Sequence, residues 1–461
     1  MSNFSALNPT YRAVACFSLM ALMLIIVGVF QSWNVALSIF NLCIISGIVA
    51  LGVNIQWGYA GLFNTGIMGF AALGGVAALL TSKPPVPTAW AVGGFGILTT
   101  AFVATLVIAV VLVAARKLQP GWLKTVAMVV LVFGGYLLIR SVYDPAVNAI
   151  EADNPAKSGY LGGLGLPIIF SWAIGGVFAA GVAWLIGKVA LGLRSDYLAI
   201  ATLGISEILI AIMKNEDWLT RGVKNVSGLS RPVPYEVELQ ESERFIGWIE
   251  WFRSSTLDGL AGDDRASKLR EFVVEGSSLF VKLCYSGLFL AVLLIVLALC
   301  VYALASPWGR MVRAIRDNEI SAAAMGKNVT RRHLQIFVLG SAVVGIAGAM
   351  LTTLDGQFTP ATYQPLRYTF LIWVMVIVGG SGNNLGSVLG GFLIWFIWIE
   401  AEPAGNWLMS VLTSGMDPSN SLRVHLIDSA QHMRLVIMGV VMLLVMRFSP
   451  GGILPERTAK S

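Results

Sequence analysis

Residues 288–305 read LFLAVLLIVLALCVYALA, and this uncharged stretch decides the class of fold. Its length approaches the roughly 20 apolar residues that an α-helix needs to cross the hydrocarbon core of a bilayer. Comparable runs recur along the chain, and we predict an all-α polytopic membrane bundle with about 10–12 transmembrane segments. The candidate spans lie near 13–30, 34–55, 62–80, 89–115, 122–143, 168–187, 196–214, 284–306, 333–354, 367–380, 385–400 and 434–447. The segments at 367–380, 385–400 and 434–447 are short enough to be half-helices.

The composition excludes a soluble protein. Hydrophobic residues make up 56% of the 461 residues and charged residues only 12%, whereas soluble domains carry about a quarter charged residues. The net charge of +6 does not indicate a nucleic-acid partner, because the basic residues are scattered at the ends of segments. The cysteines form no CxxC pair, and the three histidines form no cluster with metal-ligand spacing. We therefore expect no metal site, and we interpret the first apolar run as a retained helix rather than a signal peptide.

The distribution of lysine and arginine predicts the orientation. With the N-terminus in the cytoplasm and alternating spans, 15 of the 31 basic residues lie on the inner side. Only 6 lie in short outer connections, and the other 10 fall in the long loop 214–283, which largely escapes the positive-inside rule. The sequence therefore predicts that both termini lie in the cytoplasm.

One soluble-looking insertion, 231–283, divides the chain into N-terminal transmembrane helices at 1–230 and C-terminal helices at 284–461. The insertion contains the aromatic cluster RFIGWIEWF (244–252), and the wider stretch 216–283 holds 12 of the 25 acidic residues of the chain. We expect it outside the cytoplasm. It could be an amphipathic cap, a docking surface for an extracytoplasmic partner, or an element of the headgroup zone, where tryptophan is favoured.

The polar stretch RAIRDNEISAAAMGKN (313–328) lies between two spans and is too short to cross the membrane. Its pattern predicts one amphipathic helix, with Ile315, Ala322 and Met325 on a common face. Gly326 is a plausible left-handed stop, and Thr330 a plausible cap for the next span. Such a helix could lie on lipid, but it offers little apolar area. We therefore predict a docking element at the cytoplasmic surface.

Polar residues inside apolar segments are the candidates for a substrate path. Glycine-broken sequence surrounds polar side chains at 51–75 and again at 374–393, and paired interrupted helices can mark such a path. The same glycines also suit close helix packing. The candidate path residues are Asn54, Gln56, Asn64, Thr65 and Glu207. A carboxylate in the middle of a span, as at Glu207, should face the bundle interior or water, where it could meet a substrate ammonium or a neighbouring helix.

Four stretches, in this order, resemble the permeases of branched-chain amino-acid ABC transporters, and in particular the LivM type. They cover most of 50–400 and read LGVNIQWGYAGLFNTGIMGFAALGG (51–75), GLRSDYLAIATLGISEILIAIM with LTRGVKNVSGL (192–213 and 219–229), GRMVRAIRDNEISAAAMGKNVTRRHLQIFVLGSAVVGIAGAM (309–350) and VMVIVGGSGNNLGSVLGG (374–391).

The resemblance implies one half of an importer in the bacterial cytoplasmic (inner) membrane. Expected partners are two ABC ATPase subunits, a second permease of the LivH type and a periplasmic substrate-binding protein. A coupling helix at 311–328 would enter a groove of the ATPase, with contacts from Arg313, Arg316, Asp317, Glu319, Ala323, Gly326 and Asn328. The chain itself lacks the GxxxxGK[ST] phosphate-binding pattern. We therefore expect no catalytic residue and no cofactor on it, since ATP would be bound by the partner.

The sequence departs from the family pattern in three places. The loop 219–229 carries charge, the insertion 231–283 is long, and the segment 122–143 is additional. The first two features leave the substrate open between branched-chain amino acids and urea or short-chain amides, which a permease of the same fold carries. An ion-coupled secondary transporter is a further alternative, but it would leave the helix at 311–328 unexplained.

Overall fold

The computed structural model describes residues 9–154, 159–260, 262–417 and 420–456, which are almost entirely helical. Ten helices of this part are long and apolar enough to cross a membrane, by length and composition. They are α1 (Pro9–Phe30), α2 (Trp33–Ala60), α4 (Pro87–Lys117), α5 (Trp122–Ala152), α6 (Ile169–Ala190), α7 (Ser195–Asn215), α12 (Gly262–Ala305), α15 (Val329–Asp355), α17 (Asn384–Leu412), and α18 (Ser421–Asp428) taken together with α19 (Met433–Phe448).

Two apolar helices are shorter than a full span, namely α3 (Ile67–Ser82, 16 residues) and α16 (Pro365–Gly379, 15 residues). At about 1.5 Å per residue they reach roughly 24 Å, less than the roughly 30 Å of the hydrocarbon core. The prediction of a short helix at 367–380 agrees with α16. The expectation that 385–400 is short is wrong, because α17 continues to Leu412 and contains Pro403 within it.

The remaining elements are short. The helices are α8 (Asp217–Thr220), α9 (Glu236–Glu241), α10 (Glu243–Phe252), α11 (Ser254–Leu257), α13 (Pro307–Asp317) and α14 (Glu319–Ala324). Two-residue strands β1 (Val226–Ser227) and β2 (Gln357–Phe358) pair antiparallel. Two 3₁₀ turns occur at Pro360–Thr362 and Ser429–His432, and α4 contains a π-helical segment at Trp90–Gly94.

The centre of the bundle is formed by α2, α3, α6, α15, α16 and α17. Glycine allows these helices to approach closely. A Cβ atom on Gly74 of α3 would lie 1.9 Å from the carbonyl oxygen of Gly345 in α15, and one on Gly348 would lie 2.0 Å from that of Ala71. Such contacts suit helix association in lipid, where small residues let backbones pack against one another. The glycine-rich 51–75 stretch therefore serves packing in this chain.

Contacts between loops define the two ends of the bundle. At one end, Arg316 of α13 contacts Glu456 after α19, and we call this the elbow end. At the opposite end, Val226 pairs with Phe358, and Lys83 donates a hydrogen bond of 2.9 Å to the carbonyl of Gly228. Helix α15 joins the two ends, because it begins just after the elbow and ends just before β2. The termini at 1–8 and 457–461, and the basic residues Lys157, Arg457 and Lys460 used in the orientation argument, lie outside the described residues.

The insertion and the span that follows are not separate elements. Helix α12 runs without a break through the predicted boundary at 283/284, so its first turns belong to the insertion and its last turns to the bundle. Phe245 and Ile249 of α10 pack against Val273 of α12. Trp251 remains 73% exposed on the other face of α10. The insertion is therefore a short helical layer built on an extended transmembrane helix.

Helices α4 and α5 form a hairpin that packs mainly against itself. None of the most apolar window of α5, and only 6% of that of α4, is buried within the chain. The end of the hairpin that lies away from its turn is attached to the bundle. There Trp90 donates a hydrogen bond of 3.0 Å to the carbonyl of Leu161, and Trp218 donates one of 2.9 Å to the hydroxyl of Tyr143. The additional segment 122–143 thus lies in a peripheral hairpin and leaves the central helices undisturbed.

Candidate functional site

The predicted coupling segment is two helices rather than one. The chain breaks at Asn318, which adopts an extended conformation (φ −155°, ψ 97°) and accepts a hydrogen bond of 2.9 Å from the backbone N–H of Ser321. An asparagine that caps the following helix in this way cannot also continue the preceding one. The prediction of a single helix over 311–328 is therefore wrong. We call the pair α13–α14, with the turn that follows to Asn328, the elbow.

Each turn of the elbow has its own cap. Ser306 precedes α13, and its side chain accepts a hydrogen bond from Gly309 N–H. Gly326 has φ of 77°, as predicted for a left-handed stop. The next span is capped by Asn328, whose side chain accepts a hydrogen bond of 2.9 Å from Arg331 N–H, so the assignment of this cap to Thr330 is wrong. These caps define the path of the backbone from one span to the next.

The break also separates the predicted apolar face. Ile315 lies in α13 and is 2% exposed against the bundle, whereas Met325 follows α14 and is 79% exposed. Ile320, which the helical pattern did not single out, is 84% exposed. Both side chains therefore point away from the bundle, unlike Ile315. The elbow thus has one helix packed on the bundle and one that presents a free surface.

Arg316 attaches α13 to the bundle. Its guanidinium donates hydrogen bonds of 2.9 Å and 3.2 Å to the two carboxylate oxygens of Glu456, and a further one to the carbonyl of Gly58 at the end of α2. Burial alone would lower the pKa of Arg316, but the hydrogen bonds and charge of Glu456, helped by Asp317, hold the pKa above its ordinary value. Arg316 therefore faces the bundle, which makes it an anchor rather than part of the exposed surface.

The other predicted coupling residues divide between these two roles. Arg313 donates a hydrogen bond of 3.1 Å to the carbonyl of Leu304, which stiffens the junction with α12. Trp308 contacts Gln335 of α15 in the same way, with a hydrogen bond of 3.1 Å. The exposed members of the predicted set are Asp317, Glu319, Ala323, Gly326 and Asn328. These five residues, with Ile320 and Met325, form the free surface of the elbow.

Three of the predicted path residues form a buried network near the elbow end. Gln56 donates to the carbonyl of Phe337 at 2.9 Å and accepts from the side-chain amide of Asn64 at 2.8 Å. Asn54 accepts from Gly382 N–H at 2.8 Å and donates to Asn384 at 3.2 Å.

These contacts join α2 to α15, to the start of α17 and to the break before α3. Asn54, Gln56 and Asn64 are at most 2% exposed, so they leave no surface for a substrate in this conformation. The geometry favours structural hydrogen bonding for all three, and their role as path residues stays a prediction.

Thr65 lies beside this network and contacts α7. Its hydroxyl donates to the carbonyl of Ala199 at 2.5 Å, and its N–H donates to the hydroxyl of Thr202 at 3.1 Å. Like its neighbours, Thr65 fastens the break before α3 to an adjacent helix.

Glu207 is placed differently from the other predicted path residues. It is exposed on the outside of α7 and lines a groove together with Lys214, Arg367 and Arg434. In the sequence, Arg367 and Arg434 count among the six basic residues of the short outer connections and Lys214 among the ten of the long loop 214–283, and none of them is a predicted site residue. The only signal that could have identified them was their shared depth in the membrane, which requires the topology to be known in detail.

Comparisons with known proteins place the chain in a family. The family model described as branched-chain amino acid transport system / permease component matches residues 125–446. The chain is 29% identical over 223 residues to the high-affinity branched-chain amino acid transport system permease protein LivM of Escherichia coli (strain K12), covering 48% of each protein. It therefore spans about half the length of this curated relative.

A longer match covers 89% of this chain and 90% of the probable branched-chain amino acid transport permease protein LivM of Methanocaldococcus jannaschii, at 24% identity. The permease protein LivH of Salmonella typhimurium is 29% identical over 101 residues, which cover 22% of this chain and 32% of LivH. No solved structure matches the chain significantly. The chain, a multi-pass membrane protein, belongs to the family of branched-chain amino-acid transport permeases.

Proposed function

We propose that this chain is the permease subunit of an ATP-binding-cassette importer that moves branched-chain amino acids into the cytoplasm. The observation that carries the proposal is the elbow, because it has the two properties that a coupling element needs. Its free surface of charged and apolar side chains is available to a soluble partner, and its other side is fastened to several helices of the bundle. A helix that lay on lipid would not need the second property.

The mechanism follows from the stiffness of these attachments. Helix α13 is held to α2 and the C-terminal segment through Arg316, and to α12 through Arg313. A displacement of the elbow by closure of an ATPase dimer is therefore transmitted to helices on several sides of the bundle. Alternating access would then follow as a rigid-body switch between two packed arrangements.

The remaining parts of the importer are proposed on the family relationship and on charge. The elbow end lies in the cytoplasm, as the excess of basic residues at this end indicates, and both termini lie there as well. ATP is bound and hydrolysed by separate ATPase subunits, while this chain acts as a transport subunit without catalytic residues. A LivH-type permease completes the membrane domain, and a periplasmic binding protein delivers the substrate at the opposite end, in the bacterial inner membrane.

Binding of the ATPase is tested with substitutions on the free surface of the elbow. Glu319→Arg and Ala323→Trp reverse a charge and add bulk without altering a buried contact, so both should abolish co-purification of the ATPase. Glu243→Arg and Ala266→Trp make the same chemical changes on exposed positions of the insertion and should leave co-purification intact. Equal retention of the ATPase by all four variants would contradict the coupling role, and an ion-coupled transporter would then explain the fold better.

The substrate is tested by uptake into cells that lack other importers for it. Leucine, isoleucine and valine should accumulate in an ATP-dependent manner, and each should compete with the others. Urea or acetamide uptake without leucine uptake would assign the chain to the amide-importing group of the same fold. Uptake that persists without the ATPase would contradict the importer class altogether.

A further inference from the structure

A groove of about 960 Å³ crosses the start of α16 between α7 and α19, at the end of the bundle opposite the elbow. We call it the outer groove. Its walls come from the second half of α7, the first turns of α16, the later part of α17 and the first turns of α19. Its lining includes Glu207, Lys214, Arg367, Leu371, Trp398 and Arg434.

The rim of the outer groove carries an excess of positive charge. Arg434 pairs with Glu402, but its buried Nε atom has no hydrogen-bond partner. Arg367 lies over the ring of Trp398 at 5.0 Å. Among the residues that the structure describes, neither Arg367 nor Lys214 has a carboxylate within ion-pair distance. The rim can therefore accept an anionic group without first breaking an ion pair of either residue.

A single carboxylate lies deeper in the same groove. Glu207 precedes Lys214 by seven residues on α7, which places it about 10 Å further towards the elbow end. It is exposed on the side of the chain and has no ion-pair partner in the described part of the structure. A free carboxylate in the middle of a span is too costly to face lipid and should face water or protein. This face of the bundle is therefore covered by something other than lipid in the assembled protein.

An apolar surface joins the rim to Glu207. Phe370 and Leu435 line it and are 51% and 60% exposed, and the buried side chains of Leu371 and Met438 support them from behind. Trp398, under Arg367, is 7% exposed and presents an aromatic face. The groove thus offers cations, an apolar wall and an anion in order of depth.

Building on the function proposed above, we propose that the outer groove is the outer half of the substrate pathway and binds aliphatic α-amino acids as zwitterions. Arg367 and Lys214 receive the carboxylate at the rim, the side chain passes over Phe370 and Leu435, and Glu207 receives the ammonium group in a second position about 10 Å deeper. The second permease closes the groove from the side. Neither position alone holds the substrate tightly, which suits a pathway that must release it.

Transport kinetics of the assembled importer test the two positions separately. Arg367→Gln removes a charge-assisted contact, and the substrate concentration for half-maximal leucine uptake should rise about 10- to 100-fold. Arg367→Lys keeps the charge and should recover part of the loss. Glu207→Gln should instead lower the maximal rate about 10-fold with little change in the half-maximal concentration, and Glu207→Asp should recover part of that rate.

Arg423→Gln is the matched control, because Arg423 lies at the same end of the bundle but outside the groove. It should leave both kinetic constants within about twofold of wild type. If Arg367→Gln and Arg423→Gln behave alike, the rim does not bind substrate and the proposal fails. Failure of the wild-type importer to take up any aliphatic amino acid would instead overturn the proposed function itself, so the two failures are distinguishable.

Thiol labelling provides a readout that does not depend on uptake. Phe370→Cys, in a chain whose four native cysteines are replaced, should react with an anionic methanethiosulfonate reagent at least about 10 times faster than with a cationic one. Arg367→Gln should reduce this preference, and leucine should protect the thiol in the assembled importer. A Phe370→Cys thiol that is unreactive in every nucleotide state, together with loss of the second permease on Arg367→Gln, would show an interface between subunits only and would overturn the proposal.

Discussion

The attachment of the elbow can be broken at a single ion pair. Arg316→Met retains the apolar stem of the side chain and removes its hydrogen bonds to Glu456 and Gly58. Glu456→Gln retains the shape of the acceptor and removes its charge. We expect both variants to bind the ATPase as the wild type does, because neither residue belongs to the free surface of the elbow. We expect both to hydrolyse ATP with little transport, because the elbow can then move without the bundle.

The size of the effect follows from the geometry. The two side chains are 23% and 22% exposed and form two hydrogen bonds to the same carboxylate. Hydrogen bonds to charged groups contribute about 1.5–3 kcal/mol each, and exposed ion pairs only about 0.2–1 kcal/mol. For a pair of intermediate exposure we take about 2 kcal/mol in total, which corresponds to a roughly 30-fold change in the docking equilibrium. An elbow that is detached about 1% of the time would then be detached roughly a quarter of the time.

This change can be measured as a distance distribution. Spin labels at Met325→Cys on the elbow and Ser381→Cys on the bundle, in a chain without native cysteines, report the separation of the two parts. A second, longer distance should appear in Arg316→Met and in Glu456→Gln. Asp317→Asn is the matched control. Asp317 contacts the same guanidinium at 3.2 Å but is 67% exposed, so its loss should shift the equilibrium less than about fivefold.

A charge exchange completes the test. Arg316→Glu combined with Glu456→Arg restores the pair in reverse and should recover part of the docked population that each single substitution loses. Three results would refute the reasoning: an unchanged distribution in Glu456→Gln, an equal shift in Asp317→Asn, or loss of ATPase binding in Arg316→Met. The last would return Arg316 to the role of an ATPase contact that the family resemblance implied.

Three further predictions concern the bundle and the insertion. Gly345→Val should shift thermal inactivation in detergent to lower temperature, because even a Cβ atom would lie 2.5 Å from the Cβ of Ala179. Overpacking of this kind costs about 1–3 kcal/mol of stability. Gly181→Val is the control, since a Cβ atom there would have no neighbour within 4 Å. Gln56→Leu should destabilise the chain by about 1–3 kcal/mol in the same assay, since it leaves the amide of Asn64 unpaired; stability equal to wild type would show that the network is dispensable. Replacing 236–257 with a short linker should preserve co-purification of the ATPase and weaken delivery by the binding protein, and loss of the ATPase would contradict the proposed orientation.

The sequence predicted the class of fold because long apolar runs have few alternative structures. An uncharged run such as 288–305 is a helix in lipid whatever surrounds it, since every backbone polar group must be satisfied within the segment. The exact ends of helices were predicted less accurately, because they depend on single side chains. Helix α12 begins at Gly262 rather than near 284, and the charged turns before the span gave no sign that they were part of the same helix.

The elbow shows the same limit at the scale of one residue. A periodic apolar pattern over 313–328 fits one helix. The pattern does not show that Asn318 caps α14 instead of continuing α13. Once the helix is broken, Ile315 and Met325 no longer share a face. Arg316 and Glu319, which resemble each other in sequence as charged residues of one segment, consequently face in opposite directions and take different roles.

Charged residues near the ends of spans are ambiguous in a sequence for a physical reason. Lys214, Arg367 and Arg434 each lie close to the end of a span, where a basic side chain is common because it can reach water. The same position is where a substrate pathway opens. What distinguishes the two roles is convergence, since three residues from α7, α16 and α19 line one groove with a carboxylate beneath them. Glu207 could be identified in the sequence because a carboxylate in the middle of a span is rare and costly. Its neighbours in the groove become visible only when the helices that carry them are packed together.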